Sequence, residues 1–412
     1  MCMNLTYRFR LYPNKTQAAA LEHVLSVGWR IYNDVHHLRR SDYLESGKNW
    51  KWQELDKLFG EERRKYSYLQ VIPYDTVTQL IKRHEKAMKA FFERRDQGVG
   101  YPKEKLRRDF LSIPYRYGSG IKWMPVRPGL ARLRIFEVGS VRMRQHRPLP
   151  CGCQIKQIVV GKSKQGKWYA SFQLELPDLE PPIHDGSAVG IDLGIHYLLA
   201  LSDGQVIENP RWYREAQAKR RVLARKIERQ RRANNPDNYN PDGTVKDSVI
   251  IWRKSNRQRD TERQYAKHEE HVAEQRKYFW NQVTDWLTKT YSVIALENLT
   301  LDFMIENRKL AMSVHDAAFG IFWQMLKYKA EMRGVRLIWI PPQYTSQRCS
   351  VCGHVDKENR KTQANFTCVS CGHSENADVN AAKNLLDLAT KAPVQGVQGV
   401  TQTTGSYVPC EV

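Results

Sequence analysis

The stretch Ala188-Val-Gly-Ile-Asp-Leu-Gly194 decides the fold. A short apolar run ending at glycine reads as a buried strand, with Val189, Ile191 and Leu193 in the core and Asp192 near its end. The run Ser292-Val-Ile-Ala-Leu-Glu-Asn-Leu299 repeats this design and carries Glu297 near its end. A third acid, Asp378, opens the alanine-rich segment Asn376-Ala-Asp-Val-Asn-Ala-Ala-Lys-Asn-Leu-Leu386. There Asp378, Ala381, Ala382 and Leu385 share one helical face, and the two alanines allow close approach to a sheet. Carboxylates at the ends of two strands and on the first turn of a helix can converge. Such a cluster suits Mg²⁺, a hard cation that takes oxygen ligands and bridges to phosphates.

Around these runs the pattern alternates. Residues 197–201 and 335–340 read as further buried strands, with a first hairpin-like pair closed at Ser202-Asp-Gly204. Helical patterns separate the later strands, which predicts a mixed α/β sheet of the RNase H type. Residues 211–290 form a mostly helical insertion broken at 234–243. Between the second and third acids, Cys349-x2-Cys352 and Cys368-x2-Cys371 stand 15 residues apart, each pair followed by glycine. Four thiolates in two knuckles close a tetrahedral Zn²⁺ site, so the metal here holds the fold. His354 and His373 read as bystanders, and Cys151-Gly-Cys153 as a turn.

The amino-terminal half reads differently. Leu5, Tyr7, Phe9 and Leu11 alternate with Thr6, Arg8 and Arg10, a half-exposed strand with a basic outer face. Asn14 and Gln17 form a capping-box signature ahead of the stripe Leu21, Val24, Leu25, Val27 and Ile31. A second helix is predicted over 74–94, and residues 15–114 form a helical block. From 121 to 176 strands return, with a basic hairpin at 161–167, so a β-domain is interrupted in sequence by the helices.

A formal net charge of +22 over 412 residues favours a polyanionic partner, with nucleic acid first among the candidates. No apolar run is long enough to cross a membrane and the first residues lack a signal-peptide pattern, so the expectation is a cytoplasmic, nucleoid-associated protein. In that compartment eight cysteines imply metal ligands or free thiols. Residues 211–232 hold ten Lys or Arg against Glu215 and Glu228, a density that repels itself without a polyanion alongside. Arg220, Arg221 and Arg225 are candidate contacts there. A second basic face includes Arg8, Arg10, Arg116, Lys122, Arg132, Arg134, Arg142 and Arg144. Trp50, Trp52, Tyr115, Tyr117 and Trp123 interleave with it as possible stacking platforms.

The chain resembles the TnpB family, transposon-encoded RNA-guided nucleases related to type V CRISPR effectors. The resemblance rests on Leu11-Tyr-Pro-Asn-Lys-Thr-Gln17, Gly100-Tyr-Pro-Lys103, Gly190-Ile-Asp-Leu-Gly194, Leu296-Glu-Asn-Leu299, Gln343-Tyr-Thr-Ser-Gln-Arg-Cys-Ser-Val-Cys-Gly353 and Asn376-Ala-Asp-Val-Asn-Ala-Ala382. It implies an α/β plus β architecture: a wedge-type β-barrel domain (1–14 and 115–180), a helical recognition domain (15–114), a RuvC-like nuclease (185–345 and 375–390) and a zinc ribbon (346–374). A disordered tail (391–412) completes the expectation. Asp192, Glu297 and Asp378 would be the catalytic acids holding two Mg²⁺, and Cys349, Cys352, Cys368 and Cys371 the Zn²⁺ ligands. The implied partners of the monomer are a guide RNA from the transposon end and double-stranded target DNA beside a short adjacent motif. By rough position Trp52, Tyr74, Thr78, Tyr115 and Arg116 fall where relatives read that motif. His196 stands where relatives carry lysine, and Met312-Ser-Val-His-Asp316 departs from their pattern; neither removes a metal ligand.

Three other readings compete. A miniature type V CRISPR effector would share this core. A nuclease-inactive RNA-guided repressor would keep charge and zinc but lose acids, and all three acids are present. A transposase proper needs recognition of transposon ends, for which the sequence offers no segment.

Overall fold

The first strand, β1 (Asn4–Tyr12), buries Leu5, Phe9 and Leu11 on one side and leaves Thr6 and Arg8 exposed, as its alternation predicts. The computed structural model describes residues 4–177, 184, 186–246, 251–298, 317–362 and 364–391. They form two units dividing at Glu180. The Leu299 end of its motif, residues 312–316 and the tail from 392 lie outside the described residues.

In the first unit, Asn14 closes a capping box with Gln17 and starts α1 (Lys15–Ser46). The helices α2 (Trp52–Lys65) and α3 (Tyr74–Arg94) follow. The strands are β2 (Ser112–Arg116), β3 (Ile121–Arg127), β4 (Leu130–Ile135), β5 (Gly139–Arg144), β6 (Gln154–Lys162) and β7 (Trp168–Glu175). They join β1 in one antiparallel sheet of order β2-β6-β7-β1-β5-β4-β3. β1 therefore pairs with strands far along the sequence, and the helices are an excursion between it and β2. Cys151, in the exposed turn before β6, is disulfide-bonded. That corrects the expectation of metal ligands or free thiols for Cys151, while Cys153 is a free thiol as expected.

The second unit begins with β8 (Ser187–Leu193), β9 (Tyr197–Leu201) and β10 (Val206–Glu208), an antiparallel meander. The long hairpin of α4 (Trp212–Asn234) and α5 (Asn256–Thr290) leads to β11 (Tyr291–Glu297). Then come α6 (Phe319–Arg333), β12 (Arg336–Ile340), the short strands β13 (Asn365–Thr367) and β14 (Ser374–Asn376), and α7 (Ala377–Lys391). β8, β11 and β12 run parallel, so the sheet order β10-β9-β8-β11-β12 is that of the RNase H fold. Val189, Ile191, Leu193, Ile294 and Leu296 face α5 and α6, packing on Trp280, Leu287, Phe322 and Leu326. Each such fully buried side chain contributes about 1.5–3 kcal/mol, which pins the register of the central strands. Ala295, Ile340, Leu385 and Ala389 form the core of the opposite face, under α7. Among the described residues no helix is long and apolar enough to cross a membrane.

Candidate metal centre and nucleic-acid surfaces

Pleating decides where the acids go. Ile191 lies opposite Leu296 in the parallel pair, so the next residues, Asp192 and Glu297, project to the other face, the one α7 covers. α7 lies unusually close to that face. A Cβ on Gly190 would stand 2.0 Å from the Ala382 carbonyl oxygen, so no other residue fits beneath the helix. Ala381 and Ala382 are fully buried at this crossing, the close approach their size predicts. The Asn376 side chain accepts from the amides of Asp378 (2.9 Å) and Val379 (3.1 Å), fixing the helix start. Asp378 thus sits in the first turn, over the end of β8.

The three carboxylates feel one another. Burial pushes the Asp192 carboxyl up to about 7, and the negative charges of Asp378 and Glu297 add to the rise; Arg360 and the Leu193 amide oppose it. Burial also raises Glu297, against a hydrogen bond from Thr345 and the charge of Arg360. Arg360 donates from Nη2 to Asp378 Oδ1 at 2.9 Å. Among the described residues one guanidinium faces three carboxylates, which leaves two negative charges unmatched (3 − 1) when all three are ionised, and all the donors are hard oxygens. That donor set and charge deficit fit divalent cations. Sequence reasoning missed Arg360. It lies in irregular chain between the cysteine pairs, where no period marks it, and only the fold brings it to the acids.

The four cysteines converge as their spacing predicts, with all ligand atoms within 4.8 Å of one another. Sγ separations of 3.7 Å (Cys349 to Cys371) and 3.6 Å (Cys352 to Cys368) approach the ~3.8 Å edge of a tetrahedron with about 2.3 Å zinc–sulfur bonds. The two knuckles repeat one hydrogen-bond pattern: Cys349 N donates to His354 O and Cys368 N to His373 O. Gly353 and Gly372 have φ of +77° and +74°, which side-chain-bearing residues adopt at a cost. His373 stays outside the thiolate cluster, as expected of a bystander to the metal; its Nε2 meets Glu375 Oε1 at 2.8 Å, and Glu375 also accepts from Ser350 and Lys383. α7 is therefore tied to the ribbon on one side and to the sheet on the other.

The expected nucleic-acid residues divide. Arg116 is exposed at the end of β2, whereas Tyr115 beside it is only 1% exposed and packs in the core. That corrects the expectation for Tyr115: strand neighbours alternate faces, and the pairing of β2 with β6 turns this ring inward. On α3, Tyr74 and Thr78 both donate to Asp56 of α2, at 2.7 and 2.6 Å, and the Lys82 ammonium sits 4.1 Å over the Trp52 ring. These five side chains form one preorganised patch across α2 and α3. Along α4, Arg220 is held within the hairpin by Tyr265 (3.0 Å) and Glu269 (3.3 Å), while Arg221 and Arg225 are exposed. On the first unit's sheet Arg132 lies opposite Arg142 and Lys122 opposite Arg134, all exposed. Like charges directly across strands destabilise a sheet, so this ladder costs the fold stability.

Known proteins share these features. Residues 171–308 match the family model described as a probable transposase, OrfB of IS605, and residues 1–48, which hold β1 and α1, match its helix-turn-helix domain model. Residues 319–385, spanning the ribbon, match the Cas12f1-like TNB domain. A putative RNA-guided DNA endonuclease, InsQ, of Escherichia coli K12 is 28% identical, covering 92% of this chain and 91% of its own. A putative RNA-guided DNA endonuclease of Streptomyces pristinaespiralis is 26% identical over 95% and 91%. In fold the chain resembles Cas12f1 from its complex with guide RNA and target DNA, with a TM-score of 0.59 at 12% identity over 93% of this chain and 98% of that one.

Proposed function

From the premise that this chain belongs to the TnpB family, we propose that it is an RNA-guided DNA endonuclease of an insertion sequence. The observation that carries the reading is that Asp192 and Glu297 end neighbouring strands on the sheet face that α7 covers, where burial raises the Asp192 carboxyl to about 7 and the charges of Asp378 and Glu297 add to the rise.

In this reading Asp192, Glu297 and Asp378 hold two Mg²⁺ ions. When bound, such ions supply Lewis acidity at a phosphodiester and make an attacking water more acidic. The chain's own contribution is placement. The sheet fixes the Asp192 and Glu297 carboxylates side by side, and the first turn of α7 brings Asp378 above them. Arg360 carries positive charge at the same point, suited to the charge that develops on a phosphate in displacement. Zn²⁺ on Cys349, Cys352, Cys368 and Cys371 keeps the ribbon, and so Arg360, in position.

The remaining parts divide the recognition. The antiparallel sheet of the first unit serves as the wedge-type domain (1–14 and 115–180), and its arginine ladder grips the guide RNA backbone. The helical block (15–114) reads a short motif beside the target through Trp52, Tyr74 and Thr78, with Arg116 contacting phosphate. Arg221 and Arg225 of the nuclease hairpin contact the guide–target duplex, whose sequence is read by base pairing. The protein acts as a monomer.

The test is Asp192→Ala in protein loaded with its co-purified RNA. Mg²⁺-dependent cleavage of a matching target should fall below detection while RNA and target binding persist. Cleavage at the parent rate would refute the nuclease site.

A further inference from the structure

One side chain reaches the acidic cluster from the segment that leads into the zinc ribbon. Thr345 is 3% exposed, and its hydroxyl donates to Glu297 Oε1 at 2.5 Å. Glu297 is itself 9% exposed, so little water competes for that bond. The bond occupies one lone pair of one oxygen, and the rest of the carboxylate stays available to a ligand.

Thr345 is held from two sides. Tyr344, before it, has φ of +65°, a left-handed conformation that non-glycine residues adopt only under constraint. This turn leaves the Tyr344 ring in solvent and sends Thr345 inward. Behind it, the amide of Asn384, 1% exposed, donates to the Thr345 carbonyl at 2.9 Å and to the Arg348 carbonyl at 2.7 Å. Asn384 belongs to α7, the helix that carries Asp378. One helix therefore presents Asp378 directly and, through Asn384 and Thr345, sets the rotation of Glu297 on a separate strand.

We propose that Thr345 is a positioning residue for metal binding: its hydroxyl, anchored by Asn384, fixes the Glu297 carboxylate relative to Asp378 and Asp192. This rests on the reading of those acids as a metal-holding cluster. Partners that orient a metal's ligands typically matter by about 10–100-fold in metal affinity or activity when removed. A residue that merely filled the turn would leave metal affinity unchanged.

The experiment compares Thr345→Val, which keeps the shape and loses the hydroxyl, with Thr345→Ser, which keeps the hydroxyl and loses the methyl. Full-length, zinc-loaded protein is titrated with Mn²⁺ as the probe, read by electron paramagnetic resonance. The Mg²⁺ dependence of target cleavage is measured beside it. Thr345→Val should weaken Mn²⁺ binding by about 10-fold or more and raise the Mg²⁺ requirement to match, with zinc content unchanged. Thr345→Ser should behave as the parent. Parental Mn²⁺ binding by Thr345→Val, or an equal defect in both variants, overturns the inference. Glu297→Gln separates the two levels. If it is impaired while Thr345→Val is parental, only the role of Thr345 falls; if it keeps parental binding and cleavage, the metal cluster and this inference fall together.

Discussion

Arg360 and Asp378 pair at 2.9 Å across the boundary between the zinc ribbon and the nuclease-type sheet. This contact puts a cation from the ribbon among three carboxylates that otherwise repel one another. Arg360 lowers the Asp192 carboxyl only in part: burial first, and the charges of Asp378 and Glu297 after it, still hold it well above its ordinary value.

That shift, chiefly an effect of burial, gives stability a pH dependence. The Asp192 carboxyl moves from its ordinary 3.8 to about 7 in the metal-free folded chain. Between those values the folded state holds a proton that the unfolded chain has released, so raising the pH through this window destabilises the fold by up to about 1.4 kcal/mol per unit. The loss is complete above about 7. Mg²⁺ takes the proton's place, so its stabilisation should be greater at pH 8 than at pH 6. Thermal melts with and without Mg²⁺ at both pH values read this directly, at about 2–4 °C per kcal/mol for a unit of this size. A Mg²⁺-induced shift that is equal at both pH values, or larger at pH 6, contradicts the account.

Gly190 sets the height of α7. A methyl group there would meet the Ala382 carbonyl at 2.0 Å and the Leu386 amide nitrogen at 2.8 Å, and backbone cannot yield as a side chain does. Gly190→Ala should lift the helix and carry Asp378 away from Asp192. Misplacement by about 1 Å can cost roughly 100-fold in rate, so cleavage should fall at least that far. Guide RNA binding should survive, since the basic faces lie elsewhere. Comparing single-turnover cleavage with filter binding of RNA tests both halves.

What the sequence made legible is what local pattern controls. Buried strands at 188–193, 197–201 and 292–296 announce themselves because both faces are largely covered, so nearly every residue is apolar; the apolar run 335–340 also forms a strand, but at the sheet edge with Arg336 and Trp339 exposed, which corrects its reading as buried. The capping box at Asn14 and the paired cysteines are equally local, each defined within a few residues. Arg360 and Thr345 were invisible for the opposite reason. Both lie in irregular backbone, and their partners are fixed by the fold of the ribbon rather than by spacing. Tyr115 and Arg116 show a third limit: composition marks both as nucleic-acid candidates, and only strand register tells which faces out. Arg220 looked free, yet hairpin packing gives it Tyr265 and Glu269.

Zinc should matter to the acids as well as to the ribbon. Asn359, 1% exposed, donates to carbonyls near the first knuckle and accepts from Val369 of the second, and Arg360 follows it directly. Losing the metal should loosen both knuckles and release Arg360 from Asp378. Cys352→Ser should therefore bind well under one zinc per chain and lose cleavage by at least about 100-fold, the scale of losing one well-placed catalytic donor. Zinc analysis and cleavage assays on one preparation test the link. Full cleavage by zinc-free protein would break it.

The exposed arginines of α4 make the last prediction. Among the described residues Arg221 bonds Gln217 on its own helix, at 2.9 Å, and Arg225 is exposed, so neither ties α4 to α5 there. Replacing both by glutamine should leave the melting temperature within a few degrees and zinc content intact. If each meets a nucleic-acid phosphate, losing two contacts lowers the slope of log affinity against log salt by about 1.4–1.8. Arg220→Gln should behave differently. Its guanidinium is committed to Tyr265 and Glu269, so the variant should lose stability and keep the parental salt slope. Salt-dependent binding of the purified chain to its RNA separates the two cases. A parental slope in the double variant would take these residues off the interface and leave the charge of α4 without a partner.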